Sequence, residues 1–153
     1  MIVRGILPRR MEAGKVVALH RKPGPGALEP VSELQALGGR GFVGDRCFGQ
    51  ARRQALLVAV DQLTHFGYEP GDLREQITVD FPGLQDLPAG TRLAVGAIEL
   101  EIEGDCAPCH GMAKRLGEDP EAFVAKVARK RGMLARVLND GVLRVGDEVR
   151  RLA

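Results

Sequence analysis

Glycine and proline interrupt this chain so often that no long element can run through it. Twenty glycines and nine prolines are dispersed over 153 residues, without a collagen-like period. So many interruptions imply many turns. The stretches between them suit short strands and a few short helices, an arrangement that points to a β-barrel. Aromatic residues make up only 4% and tryptophan is missing, so the core must be aliphatic. A chain of this length forms one domain and buries roughly 70% of its unfolded surface. It therefore needs no disulfide scaffold.

The apolar patterning places the elements. Val16-Val17-Ala18-Leu19 reads as a strand, followed by a loop at Lys22-Pro23-Gly24-Pro25-Gly26. Val31, Leu34 and Leu37 recur at helical spacing. Ala55 to Val60 is a buried strand by length and composition, although periodicity alone would allow a helix. A short helix follows, with Asp61 as its N-cap and Gly67 as its C-terminal cap. Gln76 to Val79, Arg92 to Val95 and Ile98 to Glu103 are strands, the last alternating strictly between apolar and acidic residues. Asp119-Pro120 opens a helix with the stripe Phe123, Val124 and Val127, which Gly132 closes. Leu134 to Leu138 and Val142 to Val149 are closing strands about the turn Asn139-Asp140-Gly141. Strands do not alternate regularly with helices, which argues against a doubly wound parallel sheet.

Charge and cysteine usage narrow the class. Seventeen arginines and five lysines face 20 acids, a net charge of +2, which argues against a bulk nucleic-acid binder. The clusters Arg9-Arg10, Arg52-Arg53, Arg129-Lys130-Arg131 and Arg150-Arg151 read as solvated surface. No apolar stretch follows Arg4, Arg9 and Arg10, so no signal peptide is recognised. The longest aliphatic run is far short of the ~20 residues that span a bilayer. Three cysteines are too few for a secreted framework. The expected location is a reducing cytoplasm.

Two motifs invite chemistry. Gly39-Arg40-Gly41-Phe42-Val43-Gly44 matches a dinucleotide fingerprint, but that motif needs a strand before it and a helix after it. Neither context is visible, so these glycines read as a turn needing positive φ. Cys106-Ala107-Pro108-Cys109-His110 is more informative. Its spacing fits c-type haem attachment, which the missing export signal opposes, or a thioredoxin-like pair, which lacks its βαβ scaffold. A zinc half-site would need a second ligand pair, and Cys47, His20 and His65 stand at irregular spacings. Two ordinary buried thiols remain the plain alternative. His20 and His65 read as structural or solvated, and no nucleophile elbow, zinc-protease helix or P-loop occurs.

In order, the segments resemble the MOSC domain, named for the C-terminal region of molybdenum cofactor sulfurases. The resemblance rests on Gly44-Asp45-Arg46, then Arg53-Gln54 leading into Ala55 to Val60, and Pro70-Gly71-Asp72-Leu73-Arg74-Glu75-Gln76-Ile77-Thr78-Val79. It continues through Leu87 to Leu93, Cys106-Ala107-Pro108-Cys109, Gly132 to Val137 and Gly141 to Asp147, covering about Gly14 to Val149. It implies a mainly β, MOSC-type barrel with a few short helices. It also implies a pocket for molybdenum cofactor (molybdopterin) or a sulfur-carrying cysteine. Pyridoxal phosphate is not expected. The family's cysteine after proline maps onto Cys109, which would ligate molybdenum or carry a persulfide. Both roles need the thiolate, and a soft ligand suits molybdenum.

The pterin's phosphate suits arginine, which makes Arg46, Arg53 and Arg74 cofactor candidates, with Asp45 orienting one of them and Gln76 beside them. Arg46 and Arg74 are expected to converge with Cys109 on one pocket. Cys109 is expected to be the reacting thiol, with Cys106 as its resolving partner, because Asp105 disfavours a second negative charge at Cys106. Three departures stand out. Cys47 and Gln76 replace the family's frequent His and Asn, and the chain has no room for the barrel domain that precedes larger members. The reading is a protein that binds molybdenum cofactor or relays sulfur, with an oxidoreductase acting on N-hydroxylated substrates as one version. A sulfur donor, a molybdoenzyme or an electron-transfer protein would be its partner, with no nucleic acid or membrane. The alternative is a non-enzymatic barrel that binds a partner or small anion, its cysteine pair structural or redox-sensing.

Overall fold

The computed structural model describes residues 13–153. The Arg9-Arg10 cluster and the N-terminal residues read for a signal peptide lie outside the described residues. Among the described residues, eleven strands and three α-helices follow one another. The strands are β1 (Ala13–Arg21), β2 (Glu29–Val31), β3 (Glu33–Leu37), β4 (Gly41–Phe42), β5 (Ala55–Ala59), β6 (Ile77–Asp80), β7 (Arg92–Val95), β8 (Ile98–Asp105), β9 (Met133–Val137), β10 (Gly141–Arg144) and β11 (Glu148–Arg151). Seven of them close a barrel in the order β1-β11-β7-β8-β9-β5-β6, and β6 returns to β1. β2 extends this sheet beside β1, and β10, β3 and β4 form a small second sheet.

Each pairing around the barrel is antiparallel except β5 with β6. A parallel pair needs a crossover of a dozen or more residues. Helix α1 (Val60–Phe66) and the loop behind it supply one here. Helices α2 (His110–Leu116) and α3 (Pro120–Val127) connect β8 to β9. Asp119 caps α3, its Oδ2 accepting from the Ala122 N–H at 3.0 Å, with Pro120 at the first turn as the sequence predicts.

β5 shows why an unbroken aliphatic run belongs here. Ala55, Leu57 and Ala59 point into the barrel core with Ile77, Leu100 and Val137. Leu56 and Val58 point outward into a second apolar cluster with Leu63, Met112, Phe123 and Val127 from the three helices. Both faces are covered, so every residue of the strand is apolar. β8 has one covered face: Ile98, Leu100 and Ile102 are buried, and Glu99, Glu101 and Glu103 lie toward the outside. Gly132 precedes β9 at φ 138°, where a Cβ would come within 2.5 Å of the Leu57 carbonyl oxygen. Only glycine lets β9 close against β5 there.

Several boundaries differ from the sequence expectations. Val31, Leu34 and Leu37 belong to strands, and β3 buries Leu34 and Ala36 alternately rather than at helical spacing. A strand therefore precedes the Gly39–Gly44 segment, but that strand pairs antiparallel with β4 and the turns after it lead to no helix. The three glycines adopt φ of 74°, 110° and 83°, as a turn requires. The first helix starts two residues early, with Ala59 rather than Asp61 at its N-cap, and Gly67 does close it in the left-handed conformation. α3 ends at Val127, before Gly132. The expected strand Val142 to Val149 is two strands, split where Asp147 Oδ2 accepts the Arg144 N–H at 2.7 Å. No helix among the described residues is long and apolar enough to cross a membrane.

Candidate functional site: a cationic pocket on the barrel wall

Outside the barrel, beside Leu56 and Leu134, lies a cavity of about 260 Å³. Loops from four parts of the chain enclose it. Lys22 follows β1, the segment with Arg46, Cys47 and Arg53 precedes β5, Arg74 and Gln76 precede β6, and Cys106 and Arg131 flank the helical connection. Among the described residues, five cationic side chains line it and no carboxylate does.

Asp45 and Gln76 assemble these loops. Asp45 is buried, and its Oδ1 accepts the Lys22 N–H at 2.8 Å. Its Oδ2 accepts the Cys47 N–H at 3.0 Å and the Gln76 Nε2 at 3.1 Å. The Gln76 Oε1 accepts the Leu56 N–H at 2.9 Å. One carboxylate and one amide thus join the end of β1, the turn at Arg46, the outer wall of β5 and the start of β6. Asp45 bonds none of the arginines expected from the sequence; it orients backbone. Gln54 fixes the strand entry in the same way, donating to the Gly39 and Gln50 carbonyls at 3.0 and 2.6 Å and accepting the Val137 N–H at 2.8 Å.

Arg53 and Arg74 both lie in the left-handed region, at φ 59° and 62°. For residues other than glycine that backbone costs on the order of 1–3 kcal/mol and gathers at functional sites. Arg53 is held by its N–H on Glu103 Oε1 at 2.9 Å. Arg74 is held by its N–H on the Gly71 carbonyl at 2.8 Å, and Gly71 in turn donates to the buried Glu75 Oε2 at 3.0 Å.

The electrostatics follow from this crowding. Burial lowers the Arg74 pKa from its ordinary value, and Arg115, Arg46 and Arg131 lower it further by repulsion. Burial also lowers that of Lys22; Cys47 and Asp45 oppose this, while Arg74 and Arg131 add to it. Burial raises the Cys47 thiol, against the pull of Lys22. A bound anion would relieve this mutual repulsion, and the guanidinium forks suit its oxygens.

The cavity brings together four of the residues singled out from the sequence: Arg46, Arg53, Arg74 and Gln76. Asp45 lies behind them. Cys109 is exposed at the N-terminus of α2 and does not line the cavity; Cys106 is buried and does. Sequence reasoning missed Lys22 and Arg131. Arg131 is not solvated surface like the rest of its basic run. It is buried, with Nη1 donating to Cys106 Sγ at 2.5 Å and Nη2 to the Leu73 carbonyl at 3.2 Å. A visible signal was Gly132 beside it, which brings this part of the chain close against β5. Among the described residues, no group of three or more His, Cys, Asp or Glu side chains is placed to hold a metal ion. All three cysteines are free.

A barrel of seven strands carrying an arginine-rich pocket on its wall defines the class. The MOSC domain family model matches residues 46–150, and the chain belongs to that family. Among solved structures, the chain is similar to the YuaD protein of Bacillus subtilis, with a TM-score of 0.80 at 22% identity over 90% of this chain and 94% of that one. It is also similar to YiiM of Escherichia coli, with a TM-score of 0.70 at 15% identity over 91% and 70% of the two chains. YiiM of Geobacillus stearothermophilus gives 0.69 at 18% over 92% and 75%. These likenesses show the fold. No curated protein sequence matches the chain significantly.

Proposed function

We propose that the pocket binds molybdenum cofactor by its phosphate, and that Cys109 is the thiol that ligates the metal or carries sulfur for it. One observation carries this reading: among the described residues, five cations line the cavity and no carboxylate does. The residues fit the group. Arg46, Arg53 and Arg74 would hold the phosphate, with Lys22 adding charge. Gln76 acts behind them, since both ends of its amide are already engaged. Cys109 stands three residues from Cys106, within ~11 Å along even an extended chain. It can therefore serve the rim of the pocket from its exposed position. When bound, the cofactor supplies a metal centre that exchanges oxygen, sulfur and electrons.

The test is purification from cells that make the cofactor. Metal analysis and pterin fluorescence are expected to find both in the wild-type protein. Molybdenum is expected to fall in Cys109→Ser, and pterin and molybdenum together in Arg74→Ala. A folded protein that can be loaded with neither cofactor nor persulfide would overturn the reading. It would leave a barrel that binds some other anion or a partner.

A further inference from the structure

The pocket contains a second sulfur in a setting unlike that of Cys109. Cys106 follows β8, and its N–H donates to the Gly132 carbonyl at 2.9 Å. This bond fixes the cysteine beside Arg131, whose Nη1 donates to Cys106 Sγ at 2.5 Å. Both line the cavity, with Cys106 3% and Arg131 9% exposed. The other partners of Arg131 are the Leu73 carbonyl and the Met112 thioether, both neutral. Its Nε is buried without a partner. Cys106 Sγ in turn donates to the Ala107 carbonyl at 3.8 Å. Among the described partners of Arg131, Cys106 is the one that is a nucleophile and lines the cavity.

Cys47 provides a contrast within the same pocket. It too lines the cavity, but burial raises its thiol and it receives no guanidinium bond among the described residues. Cys109 is exposed, and accepts no side-chain bond there either. The molecule thus offers three thiols in three environments, and only Cys106 combines a guanidinium partner with a cationic approach.

We propose that Cys106 is an anion-selective nucleophile. Lys22, Arg46, Arg53 and Arg74 draw in a small anion that carries a soft electrophilic centre close to its carboxylate or oxyanion, and Arg131 holds the sulfur ready for it. In the step, the sulfur lone pair forms a bond to the electrophilic atom. The bond to the leaving group breaks, that group departs with its electron pair, and the thiol proton passes to water. No oxidant is required. The inference uses the same cavity as the cofactor reading but does not depend on the cofactor.

The test compares iodoacetate with iodoacetamide, an anionic and a neutral reagent of nearly equal size. Carbon–sulfur bond formation expels iodide in both. Rates are read cysteine by cysteine by peptide mass spectrometry on reduced, folded protein. The iodoacetate-to-iodoacetamide ratio at Cys106 is expected to exceed that at Cys109 by about tenfold or more, since a cationic cleft enriches anions by at least this factor. The excess should shrink with added salt. It should also shrink in Arg46→Gln and Arg74→Gln, while the Cys109 ratio stays put. Arg131→Met should slow Cys106 with both reagents, and Arg131→Lys should restore part of the rate. Equal ratios at Cys106 and Cys109, selectivity at Cys47 instead, or a Cys106 that reacts only after unfolding would each overturn the proposal. None of these outcomes alters the molybdenum content on which the cofactor reading is judged.

Discussion

The lysine of the helical cap and the cations of the pocket are treated in opposite ways. On the helical cap, Lys126 of α3 places its Nζ 2.6 Å from Glu118 Oε1 and 4.8 Å from the Tyr68 ring centroid. Phe66 and Phe123 stand behind at 5.9 and 6.0 Å, and the Tyr68 hydroxyl donates to Glu118 Oε2 at 2.5 Å. The protein itself supplies the anion and the rings. In the pocket, none of Lys22, Arg46, Arg53, Arg74 and Arg131 forms an ion pair with a carboxylate among the described residues. The first arrangement binds α1 to α3 and is complete. The second gathers like charges without a carboxylate partner among the described residues, the feature on which the proposed anion site rests.

Reversing charge in the pocket should break this contrast most strongly. The double variant Arg46→Glu, Arg74→Glu is expected to lose about 100-fold in affinity for inorganic pyrophosphate, or ~2.7 kcal/mol, by isothermal titration calorimetry. Its melting temperature should hold or rise, because like-charge repulsion is removed. A drop in stability without loss of affinity would place these arginines with Lys126 as structural cations.

Little of this contrast was visible in the sequence. The barrel was legible, because β8 alternates strictly and the length and composition of the run at β5 favour a buried strand, although its periodicity alone would allow a helix. β3 was not. Val31, Leu34 and Leu37 mimic a helical period by accident, and the alternation of Leu34 with Ala36 is too weak a signal to compete. Arg46, Arg53 and Arg74 were found through ordered family segments rather than through charge. Arg131 was hidden inside Arg129-Lys130-Arg131, where neighbouring exposed cations disguise a buried one. The part of Cys106 depends on a bond from a residue 25 positions away, which local spacing does not encode.

The next effect is expected at the junction. Gln76→Ala leaves Asp45 Oδ2 with one fewer donor and the buried Leu56 N–H without its acceptor. The loss should be about 1–3 kcal/mol in denaturant unfolding. Anion affinity should fall as well, because the loops carrying Lys22, Arg46 and Arg74 lose a shared anchor. Gln76→Glu keeps the acceptor at Leu56 but sets a carboxylate against Asp45, so it should rescue neither property. A variant that loses stability and keeps full affinity would show that the pocket needs no such anchor. Lys126→Met should do less, about 1 kcal/mol, since the pair is partly exposed and the stem can still pack on the rings. It should leave pyrophosphate binding unchanged, the mirror image of the charge-reversed pocket.

The smallest effect is one of sign. Hydrogen bonds from Lys126 and then Tyr68 hold the Glu118 carboxyl below its ordinary value. Burial pushes Glu75 above its own, although Gly71 and Thr78 donate to its Oε2, and its Oε1 has no partner. A lowered carboxyl stabilises the fold above the ordinary value near 4.3, and that contribution fades as pH falls through the folded value. A raised one does the reverse: the native state keeps a proton that the unfolded chain releases. It therefore costs stability increasingly as pH rises from the ordinary value through the folded one. Compared with wild type by urea unfolding across pH 3 to 8, Glu118→Gln should thus lose ground as pH rises and Glu75→Gln should gain it. Slopes of the same sign would mean that one of these carboxyls is not held as its surroundings imply. If Glu75 is the one that fails, a paired and ionised carboxylate sits beneath the Arg74 turn, and the pocket's excess of positive charge is smaller than its lining suggests.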